Sequence, residues 1–176
     1  MEKSQIHSFD KTIASITAIS ACLWIGCTFV RYLISYDVFV PGTTTLRDIP
    51  QEILLNTIRL STNLFTFCIT FYSVLVLGGT VLALRLRHLF KKNGFYFMAS
   101  VLLFITVPFE VYLGILDKQL FTMFPDRFSI LLQAPNTAIQ LFIQRFTTQS
   151  IFGILSLLNI VTGITFLLWQ PLTHKD

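Results

Sequence analysis

The sequence predicts an all-α, polytopic membrane protein: a four-helix transmembrane bundle built from two tandem hairpins with outward helical extensions. Three observations predict it. Of the 176 residues, 53% are hydrophobic and only 12% are charged, and the mean hydropathy is +0.69; a soluble domain carries about a quarter charged residues. The apolar residues fall in four blocks, each as long as a bilayer core is thick. A dense basic segment separates the second block from the third.

A hydrocarbon core about 30 Å thick needs about 20 apolar residues at a rise of about 1.5 Å each. Thr12–Asp37, Asn63–Leu84, Phe95–Leu116 and Ser150–Trp169 meet that requirement. The 18 phenylalanines suit surfaces that face lipid. Ile19-Ser20-Ala21-Cys22 has the form of a lipoprotein cleavage box, but Glu2 and Asp10 stand where a signal peptide is positive, and the apolar run continues past Cys22. The first span is therefore read as an uncleaved helix.

Arg85, Arg87, Lys91 and Lys92 crowd the connection after the second span with no acid among them, so that loop is expected to be cytoplasmic. An even number of spans puts both termini on the same side. The other two connections hold Asp37, Asp48, Glu52, Asp117 and Asp126 and carry no basic block. The formal charge of +4 is thus a topology signal and not a sign of nucleic-acid binding. The expected setting is a bacterial inner (plasma) membrane. Residues 85–94 form its cytoplasmic basic loop, where lipid headgroups bind or topology alone is served.

The halves resemble each other. At an offset of 80, Phe29, Tyr32, Leu33 and Asp37 align with Phe109, Tyr112, Leu113 and Asp117; at 86, Arg59, Thr62 and Asn63 align with Arg145, Thr148 and Gln149. We read two copies of one hairpin, about 12–86 and 95–170, within a single membrane domain. In each copy a proline, Pro50 or Pro135, opens a new helix outside the membrane, and Asp48 is placed to cap the first. Ile139, Phe142, Ile143 and Phe146 have the spacing of one helix face. Residues 51–62 and 137–149 either lie on the membrane or extend the second and fourth helices outward. The extension is favoured because neither stretch contains Gly or Pro.

An ionisable side chain at the bilayer centre costs about 2.5–3.5 kcal/mol on insertion scales and needs a partner or a route to water. Within the spans, Arg31 and Glu110 raise the question, and the alignment sets them at nearly the same depth. An ion pair between the first and third helices is the simplest reading; a snorkelling Arg31 is the other. Pro108, two residues before Glu110, should kink the third helix.

Ala14, Ala18, Cys22 and Gly26 recur every fourth residue on the first helix, a small-residue face that lets another helix approach closely. A helix of the same bundle is the favoured neighbour, and a helix of another subunit the alternative. Gly78, Gly79, Asn159 and Gly163 are further packing positions. Cys22, Cys27 and Cys68 lie within apolar runs and read as small packing residues. His7, His88 and His174 lie outside the spans, so neither haem ligation nor a metal site is expected, and no cofactor is. Nucleophile elbows, phosphate loops and metal boxes are missing from the sequence, and no catalytic residue is assigned. The sequence therefore reads as a non-catalytic subunit or assembly factor whose partners are the lipid bilayer and other membrane subunits or further copies of itself. The alternative is a small oligomeric transporter or channel using Glu110 and Arg31.

Overall fold

The computed structural model describes residues 8–90, 93–124 and 135–169. They form five α-helices: α1 (Ser8–Tyr36), α2 (Gln51–Arg85), α3 (Gly94–Thr122), α4 (Pro135–Phe146) and α5 (Ser150–Trp169). A single 3₁₀ turn, Arg87–Leu89, follows α2. Four of the helices, α1, α2, α3 and α5, are long and apolar enough to cross a membrane. Large apolar side chains on the bundle surface, such as Leu77, Ile115 and Leu158, are exposed on each of α2, α3 and α5, as lipid-facing helices require.

Helix α1 packs chiefly on α2, and α3 on α5; contact between α2 and α3 joins the two pairs. Glycine sets the closest approaches. A side chain at Gly78 would collide with Thr17 of α1, one at Gly79 with Leu103 of α3, and Gly163 lies against the backbone of Ala99 on α3. Trp24, Cys68, Tyr72, Leu75 and Ile160 form the apolar core at this level.

At 35 residues, α2 is about 52 Å long, well beyond a core of about 30 Å. Its first turns project from the bundle, and a second apolar core surrounds them. This head core contains Val38, Phe39, Leu54, Leu55, Ile58 and Leu120 together with Ala138, Phe142 and Phe146 of α4. Between α1 and α2, Pro41-Gly42 makes a tight turn with Gly42 at φ 76°, closed by Thr43 N–H donating to Val40 O at 3.0 Å. Positive φ at this position is what glycine supplies at no steric cost. The turn folds Phe39 back beneath α4, where its ring stacks on Phe142 at 6.1 Å.

The second extension differs from the expectation. Residues 51–62 continue unbroken into α2, but α4 and α5 are separate helices, broken at Thr147–Gln149. At the break the backbone N–H of Gln149 reaches back five residues to Gln144 O, while Thr147 Oγ1 donates to Ile143 O and Ser150 Oγ to Thr147 O. The break swings α4 over the bundle end, where it packs on α3, α2 and α1. Nor does Asp48 cap α2: Pro50 is the capping residue and offers only its carbonyl, to Ile53 and Leu54.

At the opposite end, Arg85 Nε donates to Asp10, and its guanidinium lies 5.2 Å from the Phe9 ring. The start of α1 is thereby tied to the end of α2.

Candidate functional site

Between the two apolar cores lies a polar layer with a buried charge cluster at its centre. Arg31 of α1 is only 4% exposed. Its Nη1 and Nη2 donate to Asp117 Oδ2 and Oδ1 at 2.6 and 2.5 Å, and its Nε donates to Ser61 O of α2 at 3.1 Å. Arg145 of α4, 6% exposed, brings Nε to the same two carboxylate oxygens at 3.2 and 3.3 Å. Asp117, 3% exposed near the end of α3, is thus shared by two guanidinium groups. Phe146 sits 5.4 Å from Arg31 and 5.1 Å from Arg145, its ring against both cations.

The ion pair expected between Arg31 and Glu110 is therefore not the one formed; Asp117 takes the guanidinium. Glu110, Gly114 and Asp117 follow one another at i, i+4 and i+7, so they share a face of α3, but Asp117 lies two turns nearer the head. The fork of Arg31 matches that carboxylate in the two-bond geometry a guanidinium favours. Packing of α4 and Leu120 over Asp117 removes it from water, which is why an acid at the end of a predicted span became the buried counter-ion.

Glu110 instead lines a cavity beside the cluster, with Trp24, Cys68, Tyr72, Arg31, Tyr32 and Arg145 among the other walls. The space measures about 20 Å³, enough for a guest of the size of a water molecule, which needs about 10–15 Å³. Among the described residues, Tyr32 OH and Arg145 Nη1 on its walls, and Ser156 Oγ, are buried without a close hydrogen bond. Tyr32 OH faces Arg145 and Ser156 faces Glu110, each pair close enough to interact. Tyr32 OH also packs on the bare backbone of Gly153.

Of the other positions singled out in the sequence, Pro108 lies within a helix that runs unbroken from Gly94 to Thr122. Ala14, Ala18, Cys22 and Gly26 are all exposed, and a side chain at Gly26 would meet no atom within 4 Å. Among the described residues that face packs on no helix of its own bundle, contrary to the favoured expectation; Ala21 and Trp24 point inward instead. Asn159 is half-buried. Arg87 is exposed, Arg85 is held by Asp10, and Lys91 and Lys92 lie outside the described residues. Cys68 Sγ lies 3.1 Å from Cys27 Sγ, joining α1 to α2 beside the cavity.

Sequence reasoning passed over Asp117 and Arg145 as members of this site. A signal was present: both were matched positions in the alignment of the halves. Their counterparts behave differently, since Asp37 is 81% exposed and reaches Arg47 at 3.7 Å, while Arg59 donates to Asn56 Oδ1 at 2.6 Å.

A buried carboxylate shared by two cations pins four helices at one point: α1 and α4 through the arginines, α3 through Asp117, and α2 through Ser61 O. Removing one partner of such a cluster leaves charge stranded in a low dielectric, which costs about 3–5 kcal/mol. No protein-family model, curated protein or solved structure matches this chain. The fold and the site thus define a class only: a helical chain with four helices compatible with integral membrane insertion and a clamped polar layer.

Proposed function

We propose that this chain is a non-catalytic integral membrane protein serving as a subunit or assembly factor of a larger membrane complex. The observation that carries the reading is the α1 face of Ala14, Ala18, Cys22 and Gly26, which is exposed along its length. A stripe of small residues lowers the barrier to backbone approach by another helix, and inside the bundle the glycines at 78, 79 and 163 already serve that purpose. The architecture on this reading is two tandem hairpins, supported by the pairing of α1 with α2 and of α3 with α5. The membrane is the bacterial inner membrane, with both termini and the 85–94 loop in the cytoplasm and the head outside. The tie between Asp10 and Arg85, which sets the start of α1 beside the basic loop, supports a common side for them.

Purification in mild detergent tests the reading. The parent chain should bring down other membrane proteins in fixed stoichiometry. Gly26→Leu should abolish that while leaving the chain's own thermal unfolding unchanged, whereas Gly78→Leu, which collides with Thr17, should damage both. A Gly26→Leu variant that keeps its partners counts against the α1 face.

A second reading, a small oligomeric transporter or channel, is favoured by the cavity that brings Arg31 and Glu110 to one polar space. It requires a closed homo-oligomer whose ion flux in vesicles depends on Glu110.

A further inference from the structure

Two thiols stand outside both readings. Cys27 of α1 and Cys68 of α2 lie on the seam between these helices, with the two sulfurs 3.1 Å apart. Unbonded carbon atoms pack at about 3.5–4.0 Å, and sulfur is larger than carbon, so the pair is closer than packing alone requires. Cys27 Sγ also lies 3.7 Å from Leu64 O, and the S–H groups run as a chain: Cys68 donates to Cys27, and Cys27 to the Leu64 carbonyl. A disulfide bond is about 2.05 Å long, so forming one here takes about 1 Å of closure, which side-chain rotation supplies. The surroundings favour a disulfide over a metal. Trp24, Tyr72, Leu75 and Ile160 make the core around Cys68 apolar; a thiol pair and a disulfide are both uncharged, whereas a metal requires thiolates. Among the described residues no third His, Cys, Asp or Glu joins the pair to make a ligand set. Cys22, the remaining thiol, is exposed on another face of α1.

Depth selects the oxidant. The Asp10–Arg85 pair marks one end of the bundle, and Cys27 and Cys68 are each 17 residues from their helix's member of that pair. Each thiol is therefore about 26 Å along its helix from that end, inside a hydrocarbon core about 30 Å thick. Towards the other end the polar layer covers the seam: Arg31, one turn beyond Cys27, donates to Ser61 O. Cys68 is buried and Cys27 half-buried, so Cys27 is the sulfur that an oxidant dissolved in lipid meets. We propose that Cys27 and Cys68 are a reversible dithiol–disulfide site whose oxidant is a membrane-dissolved quinone. The Cys27 sulfur adds to a ring carbon, and its proton passes to a ring oxygen. The Cys68 sulfur then attacks that of Cys27; the S–S bond forms as the sulfur–ring bond breaks, and the second proton leaves with the ring as hydroquinone. Two electrons and two protons have moved from the thiols to the quinone, and a dithiol reductant reverses the step. The disulfide locks α1 to α2 one turn from Arg31. The inference rests on membrane insertion of α1 and α2 and is independent of the assembly role.

The test uses a Cys22→Ser protein, whole and reduced, in phosphatidylcholine vesicles; flotation of the chain with the vesicles establishes insertion separately. Tetramethylbenzoquinone should consume both remaining thiols, lower the intact mass by two hydrogens and yield one hydroquinone per chain. Ferricyanide, a charged oxidant confined to water, should act at least about tenfold more slowly. The unfolding midpoint of the oxidised chain should rise by about 10 °C, as expected for closing a 41-residue loop in a chain of this length, and dithiothreitol should return it. Cys68→Ala should abolish hydroquinone formation; Cys27→Ala, at a half-buried position, makes the same test if the Cys68 variant does not fold. A floating chain that keeps both thiols in the presence of the quinone, or that ferricyanide oxidises as fast as the quinone does, overturns the proposal.

Discussion

Asp117→Asn tests the central claim about the polar layer most directly. The substitution keeps the size of the side chain but removes the charge shared by Arg31 and Arg145, and it turns one oxygen into a donor facing other donors. Four contacts of 2.5–3.3 Å are affected, on a residue 3% exposed. Losing one partner of a buried pair costs about 3–5 kcal/mol, and with two cations stranded the upper end, about 5 kcal/mol, is expected. For a chain of this length each kcal/mol moves the midpoint by about 2–4 °C, so a fall of about 10–20 °C should follow. Thermal unfolding read by a thiol-reactive fluorophore suits the protein, because Cys68 is buried and Cys27 half-buried; Cys22→Ser removes the exposed thiol. Glu110→Gln, the same chemistry two turns away, should cost far less, about 1 kcal/mol. Adding Arg31→Met to Asp117→Asn should recover part of the loss, since one stranded charge goes with it. If Glu110→Gln proves as damaging as Asp117→Asn, Glu110 is the working counter-ion and the clamp described above is wrong.

Three further outcomes are expected. Phe142→Ala, at a fully buried α4 position stacked on Phe39, should cost about 3–5 kcal/mol and expose α4 to proteolysis in membranes; unchanged protease resistance would show that α4 does not depend on the head core. A mild oxidant should cross-link Cys27 to Cys68 within one chain, detected by mass spectrometry of the intact protein, because the two sulfurs already lie 3.1 Å apart; cross-linking confined to Cys22 would place α1 and α2 in a different register. A fluorescent protein fused after Asp176 should mature in the cytoplasm and alkaline phosphatase inserted at Gly42 should be active outside it, as the basic 85–92 segment implies; the reverse result inverts the topology.

Local composition determined the spans. Four apolar runs of bilayer length in the sequence became α1, α2, α3 and α5, with the last span, Ser150–Trp169, matching to the residue. This was legible because a membrane helix satisfies its backbone internally, so a run of about 20 apolar residues carries the information by itself. The continuation of residues 51–62 into α2 was legible for a similar reason, since nothing between Gln51 and Asn63 interrupts a helix.

Tertiary packing decided the site. The alignment of the two halves placed Arg31 and Glu110 at nearly one depth, but the partner of a side chain as long as arginine depends on what else is buried within its reach. Asp117 meets a second guanidinium, that of Arg145, because α4 is a separate helix that packs back on α3 instead of continuing into α5 as the sequence pattern suggested. The outward turn of the Ala14–Gly26 face was settled in the same way, by Trp24 and Ala21 taking the inward positions. A sequence lists which residues are small, charged or apolar; which of them meet is a property of the closed bundle, because long-range pairing is chosen by competition among all the surfaces folding brings together.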